Sequence, residues 1–234
     1  KNFPLSDLFS NDGKPYCIIK NGFSNYQDFF EEIIIKTAEK QGFRGIKTLS
    51  SIHEIVLVKD INRLRLAIFN EINKVEDWSS LIYKSIIPRI NYMLGHDLSI
   101  QSKLNLSIQM PNDETSILEE HLDFRSGDSP FQLVIWIALT NSYLDNSMFI
   151  KYNNLTEFIE VKKGDILIFD PNIPHGNKIN TTEHTRISMN VRIKNWFSPD
   201  MEDLVPDRQF GIYYKDLSFS STTLNSFKLI KEID

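Results

Sequence analysis

The chain of 234 residues has a single cysteine, Cys17, which excludes a disulfide framework and any zinc site built on thiolates. It contains no apolar run near the roughly 18 residues that a membrane-spanning helix requires. A surplus of positive charge is also lacking, since 26 basic residues stand against 31 acidic ones, for a net charge of −5. That balance argues against a protein whose main task is to neutralise nucleic-acid phosphates or to lie on an anionic membrane. It leaves room for a local basic patch. The opening segment KNFPLSDLFSNDGKPYC carries no apolar core after its lysine, so no secretory leader is expected. The Asn-x-Ser/Thr triplets at Asn105, Asn154 and Asn180 are then incidental. With 41% hydrophobic and 24% charged residues, the expectation is one compact cytoplasmic domain. A chain this long hides roughly 70% of its unfolded surface and needs no covalent staple.

The first hundred residues read mostly as helix. Ser24 with Gln27 resembles a capping box, and Tyr26, Phe29, Phe30, Ile33 and Thr37 follow helical spacing up to Gly42. Asp60 is expected to cap a second helix with Ile61, Leu64, Ile68, Ile72 and Val75 on one face. A third, about 77–95, contains Pro88, which predicts a kink or a split. Between the first two, SIHEIVLVK (51–59) reads as a short strand.

Further along, the period changes. LNLSIQM (104–110) alternates apolar and polar residues, and QLVIWIALT (132–140) is too short and too uniformly apolar to favour helix. SMFIKY (147–152), TEFIEV (156–161), DILIFD (165–170) and RISMNVRI (186–193) complete a set of short strands separated by turn residues. RQFGIYY, near the end, is a further candidate strand. The predicted class is α+β. About 1–99 forms a helical flank, 100–195 a sandwich or barrel, and 196–234 a C-terminal extension.

Chemistry concentrates in three places. His121 and Asp123 stand at i, i+2 in HLDF, and an extended backbone puts both side chains on one face. His175 follows in DPNIPHGN, fifty-two residues after Asp123 and behind a turn, a buried strand and a Pro-bounded loop. Two imidazoles and a carboxylate on one face of a metal leave the opposite positions open, the arrangement of non-haem Fe(II) oxygenases. Eleven residues after His175, Arg186 opens a strand on which Arg186, Ser188, Asn190 and Arg192 share one face. That polar face either meets water or lines a site in which Arg186 grips a carboxylate. His53, His96 and His184 have no partner at ligand spacing, and Trp136 and Phe131 are expected in the core.

The order HLD (121–123), GDILIFDPNIPHG (164–176), then Arg186-x-Ser188 resembles the Fe(II)- and 2-oxoglutarate-dependent oxygenases. The interval of eleven is similar to that of their phytanoyl-CoA-hydroxylase-like branch. GDSPFQLVIWIALTNSYLDNSMFI (127–150) resembles oxygenases of bacterial carbohydrate and antibiotic biosynthesis clusters. The likeness covers about 100–195. It implies a double-stranded β-helix, a jelly roll of cupin-like form, holding Fe(II) and the co-substrate 2-oxoglutarate, with oxygen consumed and succinate and carbon dioxide released. Carried over position by position, His121, Asp123 and His175 become the metal ligands. Arg186 pairs with the distal carboxylate of 2-oxoglutarate, assisted by Ser188, with Asn105, Gln109 and Asn177 as further co-substrate contacts. Phytanoyl-type enzymes continue into a Pro-Gly-Ser-His stretch where Asn146 and Ser147 here lead into MFIKYNN, so that branch's substrate pocket does not carry over. The expected substrate is a sugar-, nucleotide-sugar- or amino-acid-derived intermediate, with Arg125 and Arg192 as candidates for an anionic group on it. Two other readings remain: a cupin-like isomerase, epimerase or lyase that uses no 2-oxoglutarate, and a non-catalytic binding module.

Overall fold

The computed structural model describes residues 13–199 and 211–231, together with 9 and 207. The arrangement is α+β with antiparallel sheets, and Tyr16–Ile19 and Tyr214–Ser218, from outside the expected 100–195 region, join the larger sheet. After strand β1 (Tyr16–Ile19) come helices α1 (Ser24–Lys40), α2 (Val58–Ile72) and α3 (Trp78–Leu94). Strands β2 (Leu98–Gln101), β3 (Asn105–Gln109), β4 (Gln132–Ala138), β5 (Met148–Tyr152) and β6 (Leu155–Phe158) follow. Then come β7 (Ile166–Phe169), β8 (His175–Asn177), β9 (Arg186–Asn195), β10 (Tyr214–Ser218) and a last helix, α4 (Ser221–Lys231).

Six strands run β1-β7-β4-β9-β2-β10 in one sheet, and β3 joins it by pairing the first half of β9. A second sheet has the order β6-β5-β8. The core lies in two layers. Ile135, Ile137, Ile166, Ile168, Ile187, Met189, Val191 and Ile193 face the helices, where Phe30, Ile34, Leu64, Ile68, Ile82 and Ile86 cover them. Val134, Trp136, Leu167 and Phe169 point the other way, onto Met148 and Ile150 of the smaller sheet. Strands β4 and β7 therefore bury both faces, which is why 132–140 and 165–170 are almost continuously apolar. Strand β9 differs: one face is core, while the other carries Arg186, Ser188, Asn190 and Arg192 into the space between the sheets.

Several local expectations are corrected. SIHEIVLVK forms no strand: Leu49–Glu54 is a 3₁₀ turn, and α2 begins at Val58. The buried residues Leu49, Ile52 and Val56 stand three and four apart, a helical period that the run of β-branched residues hides. Asp60 lies within the first turn of α2, where its charge meets the helix dipole, and Leu57 occupies the cap position. No side chain caps α1; Phe23 stands there, its amide bound to the Gly164 carbonyl at 2.8 Å. Its buried stripe is Phe30, Ile34, Thr37 and Ala38, leaving Phe29 exposed. Pro88 does not split α3, whose buried stripe Ile82, Ile86 and Ile90 continues past it. Phe131 is exposed, while Trp136 is buried. Of the candidate strand RQFGIYY, residues 208–210 lie outside the described residues, and β10 begins only at its final tyrosine. Among the described residues no helix is long and apolar enough to cross a membrane.

Candidate metal centre

Leu122 is extended (φ −122°, ψ 124°), so His121 and Asp123 project to the same side as their spacing predicts. The chain then tightens into a 3₁₀ turn over Asp123–Ser126, ending the alternation. His121 pairs directly with His175, their backbones exchanging hydrogen bonds of 3.0 and 3.1 Å. Gly176 makes this possible, since a Cβ there would stand 2.7 Å from the Leu118 carbonyl oxygen as that segment passes. The DPNIPH loop is fixed as well. Asp170 accepts from the amide and side chain of Asn172, which reaches the Pro130 carbonyl, while Pro171 accepts from the Asp123 amide at 3.1 Å.

This scaffold brings His121, Asp123 and His175 together, with one ligand atom from each within 4.8 Å of the others. Both imidazole Nε2 atoms converge on the same carboxylate oxygen, Asp123 Oδ1, at 3.3 and 3.4 Å. Each ring is oriented from behind: His121 Nδ1 lies 2.8 Å from the Glu119 carbonyl oxygen, and His175 Nδ1 2.8 Å from that of Ile173. A carbonyl only accepts, so each Nδ1 carries its proton, and it is Nε2 that each ring turns inward, where a metal would take its lone pair, as metal-binding histidines do. Burial alone would raise the pKa of Asp123. Hydrogen bonds from His121 and His175 and the charge of Arg192 overcome it and hold the carboxyl well below the ordinary range. The bond to Asp123 in turn raises His121. Two imidazoles and one anionic oxygen suit a divalent first-row metal with open positions.

The three residues line one end of a cavity of about 290 Å³, with Val134, Trp136, Met148 and Phe169 as its apolar wall. Arg186 lines it too and is only 3% exposed. Its Nη2 donates to Ser107 Oγ at 3.2 Å, its Nε has no hydrogen-bond partner, and among the described residues no carboxylate pairs with it. Burial pushes its pKa down from 12.5 to about 10. An unpaired buried guanidinium is costly unless a ligand supplies the anion.

The other expected residues fall into place unevenly. Strand register sets Gln109 opposite Arg186, Ser107 opposite Ser188 and Asn105 opposite Asn190, so the polar faces of β3 and β9 coincide. Ser188 is fully buried with an unpartnered Oγ, but it does not line the cavity. Gln109 is directed to the Lys178 carbonyl, and Asn105 bonds Asn190 at 3.2 Å; Asn190 rather than Asn105 reaches the wall. Asn177 lines the cavity while bracing the 116–118 loop, accepting from the Leu118 amide and donating to the Ser116 carbonyl. Arg125 is exposed and outside the wall, because the turn at 123–126 swings it away. Arg192 does reach the cavity, but its guanidinium is engaged by Asp123 and Asp128. His53 bonds Thr185, His96 bonds Asn91 and His184 stacks near Tyr143, all away from the triad.

Sequence reasoning passed over Ser107, Asn190 and Arg65 as site residues. The first two were legible as members of the polar faces of β3 and β9. Arg65 was not, because nothing local reveals that α2 lies beside the cavity mouth.

Comparison with known proteins is consistent with this geometry. No family model matches the chain. A stretch of 120 residues, 50% of the chain, is 28% identical to the streptomycin biosynthesis protein StrG of Streptomyces griseus. The chain spans only about half the length of that relative (56%). Among solved structures it resembles the non-haem monooxygenase ThoJ in its apo form, at TM-score 0.55 and 16% identity, over 84% of this chain and 78% of that one. It also resembles SnoN, the non-haem alpha-ketoglutarate-dependent epimerase of nogalamycin biosynthesis, at TM-score 0.54 and 12% identity, over 89% and 91%. The chain therefore shares the fold of these two solved structures. SnoN has also been solved with Fe3+, alpha-ketoglutarate and nogalamycin RO bound, at TM-score 0.51 to this chain.

Proposed function

We propose that the chain is a non-haem Fe(II)- and 2-oxoglutarate-dependent oxygenase acting on a small-molecule biosynthetic intermediate, with its two sheets forming a single double-stranded β-helix domain. One observation carries the reading: two inward-facing imidazoles and a carboxylate converge in the same cavity as a buried arginine that has no carboxylate partner among the described residues. His121, Asp123 and His175 would hold the iron, and Arg186, with Ser107 beside it, would take the distal carboxylate of 2-oxoglutarate through charge-assisted hydrogen bonds. When bound, iron and 2-oxoglutarate would activate oxygen, which supplies the oxidising power: one oxygen atom ends in succinate as carbon dioxide is lost, and the other is available to the substrate.

The protein's own work is orientation and exclusion. Arg186 fixes which end of the diacid faces the metal ligands. Val134, Trp136, Met148 and Phe169 keep water from the reacting carbon. Charge then narrows the substrate. Asp123 and Asp128 neutralise Arg192 and leave one negative charge, a divalent metal reverses its sign, and a dianionic co-substrate answers that remainder together with Arg186. Arg65 remains at the mouth, bound through Nη2 to Asn62 at 2.6 Å and without a carboxylate partner among the described residues. It is the group that would receive a phosphate or carboxylate on the substrate.

The experiment is aerobic incubation with Fe(II), 2-oxoglutarate and a panel of phosphorylated and neutral sugars, aminocyclitols and amino-acid derivatives, following succinate and product mass. Succinate formed in step with a product bearing one added oxygen supports hydroxylation. Turnover of a panel member without oxygen or succinate would establish an isomerase or lyase and sink the proposal.

A further inference from the structure

We infer that Arg192, braced by Asp128, is a positioning residue that fixes Asp123 as a one-oxygen ligand and thereby keeps the opposite positions on the metal free. The inference rests on the triad being a metal centre. The two oxygens of Asp123 have different company. Oδ1 faces both imidazoles at 3.3 and 3.4 Å. Oδ2 is held from the far side by two N–H groups of one guanidinium, Arg192 Nε at 3.2 Å and Nη2 at 2.8 Å. The guanidinium is itself fixed: Nε lies 3.3 Å from Asp128 Oδ2, and Nη1 donates to Gln101 Oε1 at 3.4 Å. Asp128 is tied to the same turn through its amide, which bonds the Asp123 carbonyl at 3.3 Å. Asp123 and Asp128 are each 3% exposed, so solvent does not loosen the assembly.

Carboxylates bind divalent cations through one oxygen or through both. What decides between the two here is the tilt of the Asp123 carboxylate, set by rotation about Cα–Cβ, and the two N–H groups of Arg192 on Oδ2 resist the tilt that would bring that oxygen onto the metal. The pairing also draws charge from the ligand, which weakens its grip on metal, while Asp128 offsets the charge of the arginine. The gain lies in vacancy: a co-substrate that chelates through two atoms, followed by oxygen, requires three positions opposite the triad, and a two-oxygen Asp123 would leave about two. Lysine could not replace the arginine, because an ammonium has no planar fork to hold a carboxylate's orientation. Arg192 stands on the polar face of β9 two residues beyond Asn190, on the strand that also carries Arg186, so one strand positions both the metal ligand and the co-substrate.

Water-proton relaxation of the protein loaded with Mn(II) counts exchangeable waters on the metal. Octahedral Mn(II) held by three protein atoms retains about three. The R192M/D128N variant removes one cation and one anion, preserving the net charge of the site. Its inner-sphere relaxation should fall by about a third as Asp123 swings both oxygens onto the metal. Three waters in both proteins, or two in both, would overturn the inference. Failure of the unaltered protein to bind Mn(II) would overturn the metal-centre reading instead. A second pair of variants serves if the double variant does not fold. In D123N the amide offers one carbonyl oxygen, enough for one-oxygen ligation, but Arg192 demands an acceptor on its own side and turns the NH2 toward the metal. D123N should lose Mn(II) binding, and D123N/R192Q, whose glutamine carbonyl accepts the amide N–H, should regain at least tenfold in affinity. Equal affinities in the two would refute the positioning role.

Discussion

Replacing Arg186 with methionine should make the ligand-free protein more stable and, at the same time, unable to hold 2-oxoglutarate. The fall in its pKa from 12.5 to about 10 has burial as its cause, with no carboxylate among the described residues to offset it. At about 1.4 kcal/mol for each tenfold change in equilibrium, that corresponds to roughly 3 kcal/mol of desolvation cost. Because the folded value lies below the unfolded one, this cost is present in full at neutral pH and is relieved only as pH rises above about 10. Methionine has a similar length and no charge, but it leaves Ser107 Oγ without its 3.2 Å partner, at a cost of about 1 kcal/mol. The balance is a stabilisation of roughly 2 kcal/mol, or about 4–8 °C in a thermal melt of a chain this long. The unaltered protein recovers its cost when an anion arrives, so 2-oxoglutarate with Mn(II) should raise its melting temperature, while the variant should show no response to 2-oxoglutarate. A variant that melts below the unaltered protein, or that keeps its 2-oxoglutarate affinity, would refute the assignment of Arg186 as an anion site built at the expense of stability.

Metal affinity should fall on acidification, beginning above pH 6.5, because the bond to Asp123 raises the His121 pKa and protons compete with metal at the rings. Co(II) titrations between pH 6 and 8 test this, and an affinity independent of pH would contradict it. In the metal-free protein the sign reverses: the His121–Asp123 pairing adds stability fully present below about pH 6.5 and lost as pH rises through the raised value. Arg65→Met should raise KM for a phosphorylated or carboxylated substrate by about tenfold to a hundredfold, the range of a charge-assisted hydrogen bond. The KM for 2-oxoglutarate should not move, and equal changes in both would remove Arg65 from the substrate subsite. Gly164→Ala should lower the melting temperature by roughly 3–6 °C, since φ of +87° costs a side chain about 1–2 kcal/mol and the new Cβ would meet Gln27 Oε1 at 2.6 Å. An unchanged melt would show that the 163–165 turn adapts.

The triad was legible because its signal is local on both sides. His-x-Asp on an extended residue needs only the two-residue period, and a Pro-bounded loop ending in His175 follows a strand whose apolar run marks it as buried. The polar faces of β3 and β9 were legible for the same reason, as two alternating patterns that the register Gln109–Arg186 sets against each other. What was illegible depends on distance. Nothing in RISMNVRI says that Arg192 meets Asp123 and Asp128, which are sixty-nine and sixty-four positions earlier. The expectation that Arg125 meets the substrate fails at the turn over Asp123–Ser126, which carries the side chain away from the cavity. SIHEIVLVK was read as strand from its β-branched residues, although burial of Leu49, Ile52 and Val56 against the helical layer decides the matter.

On this reading two histidines and an aspartate hold iron beside an arginine that receives a diacid. Anaerobic titration of the metal-free protein with Fe(II) and then 2-oxoglutarate tests it most directly. A visible metal-to-ligand absorption band should appear only when both are present, and it should be absent from His175→Ala and from Arg186→Met at matched concentrations. A band of undiminished intensity in His175→Ala would take that imidazole off the iron and contradict the account.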